Sequence, residues 1–353
     1  MNKRNEIRKI WTECFDDSPE YVAMYFDRVY RDDDVVALES GGTVVSSLLL
    51  QRYSFQFHGR DVAMSYVAGA ATRRQFRGHG FMSALMHDAI VESYNRGDML
   101  CALIPAHDWL YFYYDRFGFA TVFYVDPQRF TSLHTFSSED ISATETDDHY
   151  APEVYEAFSR MERARICTVL HTHRDFLNIL DDLRLDNGRF VVMRNSDFEI
   201  CSMAWAVERH DIVEVRDIMS LDTPSHQAVL ARLRQYYPDK AFKVMMPPDD
   251  HVRRHLFSHG MARIINAGAC LSTIAAANPR WRSLIRITDN IIADNCHTFL
   301  IEDGVCSVDD DTTEKLSFDV DIATFTEIVF SSRHIGDILD FPSVRPIMSL
   351  MLD

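Results

Sequence analysis

The sequence predicts an α/β (α+β) protein in which mixed, twisted sheets are flanked by helices and the chain divides into more than one domain. Three observations point there. The chain has 353 residues, more than one hydrophobic core usually organises, so two or three domains are expected. Apolar residues recur now at the strand period and now at the helix period. From Val67 to Phe81 a strand pattern runs through a glycine-bearing loop directly into a helix pattern. Composition agrees: 47% hydrophobic and 25% charged residues are an ordinary mixture that fills real cores.

In order along the chain, residues 6–30 read as two helices. Ile7, Ile10, Trp11, Cys14 and Phe15 keep a helical period, and Asp17-Ser18-Pro19-Glu20 has the form of a cap with proline in the first turn. Strands at 35–38 and 44–50 are separated by Gly41-Gly42, a hairpin signal. Phe55-Gln56-Phe57 and a strand from Val62 to Ala71 flank a turn at His58-Gly59-Arg60. A helix spans about 81–96 with Met82, Leu85, Met86, Ala89 and Ile90 on one face, and Gly97 ends it. A buried strand at 99–104, a short helix at 108–116 and a strand at 120–125 follow. Residues 131–260 read as a second α/β unit, with helices near 152–163, 174–183 and 227–236 and strands near 189–193, 200–207, 212–219 and 241–245. A third segment begins near 261 and carries a helix, strands near 284–289, 296–301 and 315–320, and short helices to the end. The expected domains are therefore 1–130, 131–260 and 261–353.

A formal charge of −17 argues against nucleic acid or an anionic membrane as partner, since phosphate contacts need basic surface. It suits a cationic substrate such as an amine. No run of about 18 apolar residues suggests a membrane span, and the polar start suggests no secretory signal. Seven cysteines, at 14, 101, 167, 201, 270, 296 and 306, include no Cys-x-x-Cys and sit mainly in apolar runs. Reduced thiols in a cytoplasmic protein are expected.

The chemistry is concentrated between Val67 and Phe81. A loop between a strand and a helix can aim several backbone N–H groups at one point beside the positive helix end, an arrangement that binds pyrophosphate. Gly78 and Gly80 let a bulky diphosphate approach the backbone. Arg73, Arg74 and Arg77 add positive charge. The Gly-Lys-Ser/Thr of a nucleotide-binding P-loop is absent, as is the Gly-x-Gly-x-x-Gly of a dinucleotide fold. Gln75-Phe76-Arg77-Gly78-His79-Gly80 instead resembles the (Gln/Arg)-x-x-Gly-x-(Gly/Ala) acetyl-CoA motif of the GNAT superfamily of N-acetyltransferases. At the right distance, Tyr113-Tyr114-Asp115-Arg116-Phe117-Gly118-Phe119 resembles that family's Phe-Tyr-Glu-Arg-Phe-Gly-Phe block.

The resemblance implies a GNAT fold and a set of roles. Ala68, Gly69 and Ala70 would offer backbone groups to the pantetheine arm and the acetyl carbonyl, with one amide, that of Ala70, stabilising the oxyanion. Gln75, Phe76, Arg77, Gly78, His79, Gly80 and Phe81 would hold the pyrophosphate. Trp109 and Leu110 would flank the cofactor's arm. Tyr114 would be the general acid towards the departing thiolate. His107 stands where the family has Asn, and Thr72 where it has Pro.

The whole layout resembles the enhanced-intracellular-survival (Eis) subgroup: an active GNAT domain, a degenerate GNAT-like domain without the motif, and a sterol-carrier-protein-like C-terminal domain. That last segment is short for a lipid-binding tunnel. In the subgroup the terminal carboxylate acts as base, which implies Asp353 here as base or substrate anchor, and relatives form homo-oligomers. The expected activity is acetyl transfer from acetyl-CoA, as cosubstrate, to a primary amine (a polyamine, an aminoglycoside-like compound or a peptide lysine) by direct attack in a ternary complex, with no metal. A second class, a regulatory protein that binds acetyl-CoA or a lipid without turnover, is the alternative. His251 and His255 lack the glutamate of a zinc protease motif, His171-Thr172-His173 reads as a loop or cap, and Asp32–Asp34 and Asp309–Asp311 read as solvated turns.

Overall fold

The computed structural model describes residues 3–137, 144–249 and 256–352. They form two compact units, Met1–Phe123 with Ser258–Pro346, and Tyr124–Phe257 with Ile347–Leu352. The first unit begins with α1 (Lys3–Cys14) and α2 (Pro19–Met24), which continues as one π-helical turn, Tyr25–Val29. The Ser18 side chain accepts from the Tyr21 N–H and Pro19 occupies the first turn, so this helix starts where its cap dictates. Then come β1 (Val35–Ser40), β2 (Thr43–Phe57), β3 (Arg60–Thr72), α3 (Phe81–Asn95), β4 (Leu100–Leu103), α4 (Asp108–Asp115) and β5 (Ala120–Phe130), the strand through which the chain enters the second unit.

Both expected hairpins are present. Ser40 pairs with Thr43 across Gly41-Gly42 and Phe57 with Arg60 across His58-Gly59, each turn having two residues at positive φ. β1, β2 and β3 are antiparallel, and β3 and β4 are parallel and joined by α3. All four residues of β4 are buried, as befits a strand covered on both faces.

The second unit holds β6 (Thr144–Glu145), α5 (Pro152–Arg163), β7 (Thr168–Leu170), α6 (His173–Leu185), β8 (Arg189–Arg194), β9 (Ile200–Arg209), β10 (Ile212–Ser220), α7 (Thr223–Tyr236) and β11 (Ala241–Met246). Its sheet has the order β5-β11-β10-β9-β8-β6. β8, β9 and β10 are antiparallel, and β10 and β11 are parallel across α7, so the strand and helix sequence of the first unit recurs. Thr172 caps α6 in a reciprocal capping box with Asp175, which makes 171–173 a cap as read from sequence. Ile347 pairs with Thr168 and exchanges backbone hydrogen bonds with Cys167 and Val169.

The chain then returns to the first unit with β12 (Phe257–Ile264), α8 (Ala267–Ala277), β13 (Ser283–Thr288), β14 (Thr298–Glu302), β15 (Val305–Val308), β16 (Phe318–Asp321), α9 (Ile322–Val329) and α10 (Arg333–Leu339). β12 pairs antiparallel with β4, Met261 opposite Leu103 and Ile264 opposite Leu100. β13 to β16 form a separate sheet of order β15-β14-β13-β16.

Four local expectations are corrected. β5 continues past Val125 because Pro127 sits opposite Met245 of β11 without breaking the pairing. β15 was not expected, its valines being exposed on a four-residue strand, and β16 starts at Phe318 rather than 315. Asp34 is not a solvated turn residue: it is 5% exposed and faces Arg52 at 3.2 Å and Arg96 at 3.8 Å. Asp310, by contrast, is an exposed turn residue as expected, and it accepts from the Thr298 N–H at 2.7 Å and contacts His297 at 2.8 Å.

Candidate active site

The site begins at a fault in the sheet. Leu49 pairs with Ala68 and Ser47 with Ala71, so Gly69 and Ala70 together face Leu48 alone. Such a bulge withdraws backbone groups from the ladder and bends the strand. Glycine is required there twice over. Its φ is +58°, and a Cβ on it would lie 2.1 Å from Cζ3 of Trp11. Trp11 is itself held by its Nε1–H donating to Asp17 at 2.7 Å. The parallel pairing of β3 with β4 ends at Tyr66 and Ala102. Just beyond that point, therefore, β3 carries a bulge and no β4 partner, and the carboxyl ends of both strands lead into the functional loops. Ala68, Gly69 and Ala70 all lie at this divergence.

Beyond Thr72 the chain makes a short 3₁₀ turn, Arg74–Phe76, and reaches α3 through Gly78 (φ +80°) and Gly80 (φ +82°). No atom lies within 4 Å of a Cβ built on either glycine, so conformation and open space, not packing, demand them. Among the described residues, the backbone N–H groups of Gly78, His79, Gly80, Phe81, Met82 and Ser83 make no hydrogen bond. Six unused donors at the positive end of a 15-residue helix form an anion cradle. Phe76 and Phe81 meet edge to face at 6.0 Å and brace the loop. His79 Nδ1 lies 2.9 Å from the Arg77 carbonyl, and Gln75 is exposed with no side-chain hydrogen bond among the described residues.

The three arginines are not equivalent, which corrects their joint reading as phosphate-facing charge. Arg73 is committed elsewhere, to Glu6 at 3.0 Å, Glu13 at 3.3 Å and the Val44 carbonyl at 2.8 Å. Arg77 turns back, its Nε–H donating to the Thr72 carbonyl at 3.1 Å. Arg74 gives its backbone N–H to Glu13 at 2.7 Å, while its exposed side chain makes no hydrogen bond or ion pair among the described residues.

α4 supplies the third wall. Leu110 and Tyr114, one helical turn apart, face a cluster that also contains Val67, Ala70, Met82 and Leu85. The bulge, the start of α3 and Tyr114 are thus brought together. Tyr114 is 8% exposed. Its hydroxyl makes no hydrogen bond among the described residues, yet it is not one of the fully enclosed unpartnered polar atoms. Burial, with a smaller contribution from Tyr113, pushes the Tyr114 phenol up to about 12. Tyr113 reaches the Ser83 hydroxyl at 3.4 Å. Trp109 stands apart: it is 61% exposed at the start of α4. His107 takes the N-cap position without a side-chain cap bond. Asp353, His251 and His255 lie outside the described residues.

The second unit repeats this framework with its anion site closed. β10 has its own irregularity, Val215 opposite Ala206 and Asp217 opposite Trp205, with Arg216 left over. There the buried Asp217 receives Arg165 at 2.6 and 2.9 Å and Ser349 at 2.7 Å. At the start of α7 the cap is Asp222, whose carboxylate accepts from the Ser225 N–H at 2.7 Å. Its hydrogen bonds from Ser225 hold its carboxyl below the usual range. A fixed negative charge thus sits where α3 has Gly80, and it repels a phosphate.

Sequence reasoning missed two buried participants in the first unit, Arg263 and Asp289. Arg263 donates to the Phe117 carbonyl at 2.8 Å and to both oxygens of Asp289 at 2.6 and 2.7 Å. An arginine in the middle of an apolar strand pattern was the only available signal.

Residues 2–122 match the family model described as "Acetyltransferase (GNAT) domain". No curated protein matches the chain. Solved structures that share its fold include a protein from Enterococcus faecalis V583 described as a "Probable N-Acyltransferase" (14% identity, TM-score 0.79, 99% of this chain and 97% of that one). Eis1 from Mycobacterium abscessus is similar over 96% of this chain and 90% of its own, with 13% identity and a TM-score of 0.73. A GCN5-related N-acetyltransferase from Anabaena variabilis is similar over 98% and 96%, with 14% identity and a TM-score of 0.77. Bulge, N–H cradle and Tyr114 all fall inside residues 2–122, the segment that matches the acetyltransferase (GNAT) domain model.

Proposed function

We propose that the chain transfers an acetyl group from acetyl-CoA to a primary amine by direct attack in a ternary complex. The observation that carries this is the convergence of three features on one point: the bulge at Gly69-Ala70, the unused N–H groups from Gly78 to Ser83, and the buried Tyr114 hydroxyl. The cradle and Arg74 would hold the pyrophosphate, with Gln75, Phe76, Arg77, His79 and Phe81 shaping the loop. The backbone at Ala68–Ala70 would bind the pantetheine arm, and a freed N–H there would stabilise the oxyanion. Leu110 lines the arm from the other side, with Trp109 at the rim.

The neutral amine attacks the thioester carbon, the C–S bond breaks, and the thiolate takes a proton as the amine gives one up. A CoA thiol ionises near pH 8.5, well below the value of about 12 that burial gives Tyr114. The phenol therefore stays protonated at any working pH. It donates a hydrogen bond to the developing thiolate, and a proton that it passes to the thiolate is replaced from solvent through its open side. A net charge of −17 favours a cationic acceptor, a polyamine, an aminoglycoside-like compound or a peptide lysine. Calorimetric titration with acetyl-CoA tests the foundation: saturable binding at micromolar concentration is expected, and none at high micromolar concentration sinks the reading.

We also propose the Eis-like organisation, with 1–130 as catalytic domain, 131–260 as degenerate copy and 261–353 as sterol-carrier-like domain, in a cytoplasmic homo-oligomer. The recurring topology and the closed anion site of the second unit support the degenerate copy. The Asp353 carboxylate is proposed as general base. Fusing extra residues after Asp353 should lower kcat by about tenfold or more, and a fully active fusion would remove it from the mechanism. No described helix is long and apolar enough to cross a membrane.

A further inference from the structure

We propose that Arg263, held by Asp289, is a positioning residue for acyl transfer: it fixes the C-terminal end of α4 and with it the aim of Tyr114. The proposal rests on the reading of Tyr114 as the acid. It places an essential support for the site well outside the segment that matches the acetyltransferase family.

The pair is enclosed, both side chains being 0% exposed. One arm of the guanidinium spans both Asp289 oxygens at 2.6 and 2.7 Å, and the other donates to the Phe117 carbonyl at 2.8 Å. Phe117 is the residue at which α4 turns back: its own N–H and that of Phe119 both donate to the Tyr114 carbonyl, at 2.9 and 3.4 Å. Arg263 thus grips the carbonyl of the residue whose own N–H is hydrogen-bonded to the Tyr114 carbonyl. Gly118 shows how close the grip is. Its φ is +77°, and a Cβ there would lie 1.9 Å from an Arg263 nitrogen and 2.7 Å from Ile322. The glycine of the Phe-Gly-Phe block is therefore required by an arginine 145 residues later, as well as by its turn.

Asp289 is fixed in its turn. It accepts from the N–H groups of Ile291 at 2.9 Å and Ile292 at 3.1 Å, and from the side-chain amide of Asn295 at 2.9 Å. Asn295 also donates to the Ile265 carbonyl at 2.9 Å and accepts from the Ala267 N–H at 2.9 Å. The chain runs from Arg263 on β12, opposite Cys101 on β4, through Asp289 and back to the end of α4.

A buried ion pair is a poor way to gain stability, because desolvation consumes most of its attraction. It is a good way to fix a direction, since the guanidinium fork accepts only one geometry. α4 needs that. It has eight residues, and Trp109 and Phe112 on it are 61% and 80% exposed. Leu110, Tyr111, Tyr113 and Tyr114 pack α4 against the cluster, and the bond from Arg263 to the Phe117 carbonyl adds a directional tie just beyond its C-terminal end. A misplacement of about 1 Å at a reacting group costs about 100-fold in rate.

The test is a double-mutant cycle on the full chain, with Arg263→Lys and Asp289→Asn each made alone and with Tyr114→Phe. Folding is checked by circular dichroism and acetyl-CoA binding by calorimetry. Each single variant should lower kcat by about 10- to 100-fold with acetyl-CoA affinity changed less than about twofold, since the N–H cradle is untouched. On the Tyr114→Phe background the same change should lower kcat by less than about twofold. Effects that multiply on that background overturn the positioning role and leave the acid role intact. A wild-type kcat for Tyr114→Phe overturns the acid reading, and the positioning role with it. If Arg263→Lys does not fold, the isosteric Asp289→Asn is read in the same cycle, and a folded Asp289→Asn with wild-type kcat also refutes the proposal.

Discussion

Gly69 and Gly80 both hold a positive φ, +58° and +82°, but for different reasons. At Gly80 only the backbone conformation excludes a side chain. At Gly69 the Trp11 indole does so as well, 2.1 Å from where a Cβ would be. Gly80→Ala should therefore cost about 1–2 kcal/mol, and Gly69→Ala about 3 kcal/mol or more because the indole must move. Urea denaturation of the two variants checks this, and equal losses would contradict it. The two glycines also differ in how legible they are. Gly78 and Gly80 announce a loop by their spacing. Gly69 looks like a small residue in a strand, because a bulge depends on the register of another strand. Tyr114 was legible from its block, but its raised phenol depends on a cluster drawn from segments between Leu48 and Ile292.

At the scale of elements, the loop before α3 separates charges that the sequence presents together. Arg73 is tied to Glu6 and Glu13, partners 67 and 60 residues away, and no local pattern displays them. Arg73→Ala should destabilise the fold by about 1–3 kcal/mol, since it strips a partner from the buried Glu6 carboxylate, with little change in the acetyl-CoA affinity of the folded protein. Arg74→Ala should do the reverse, leaving stability unchanged and weakening acetyl-CoA binding by about three- to tenfold. Thermal unfolding and calorimetry on both variants decide it, and weaker binding for Arg73→Ala alone would reverse the assignment. The start of α7 supports the same logic. An aspartate cap and a glycine cap both begin a helix, but only the glycine leaves the N-terminal donors for a ligand.

For the whole molecule, the helices and the longer strands were mostly legible because their periodicity is local, whereas β6, β7, β12 and β15 were not expected. The assembly of the first unit was not. β12 lies against β4, and the returning segment Ser258–Pro346 belongs with Met1–Phe123. Both depend on contacts between residues more than 140 positions apart, and hydrophobic patterning carries no information about which strand is neighbour to which. Arg263 is the sharpest case: a charge in a strand that reads as core becomes intelligible only once Phe117 and Asp289 are beside it. The candidate site was legible because two short blocks, 75–80 and 113–119, point to it, and both fall in the segment that matches the acetyltransferase domain model. The most direct measurement is thiol release from acetyl-CoA with a panel of primary amines, comparing the wild type with Tyr114→Phe from pH 7 to pH 10. The wild type should release CoA with at least one amine, its rate should rise with pH as the amine loses its proton, and no falling limb should appear below pH 10 because burial holds the Tyr114 phenol up at about 12. Tyr114→Phe should be slower by about 10- to 1,000-fold with acetyl-CoA binding retained. Equal rates for the two proteins, or acetyl-CoA binding without thiol release on any amine, would contradict the account.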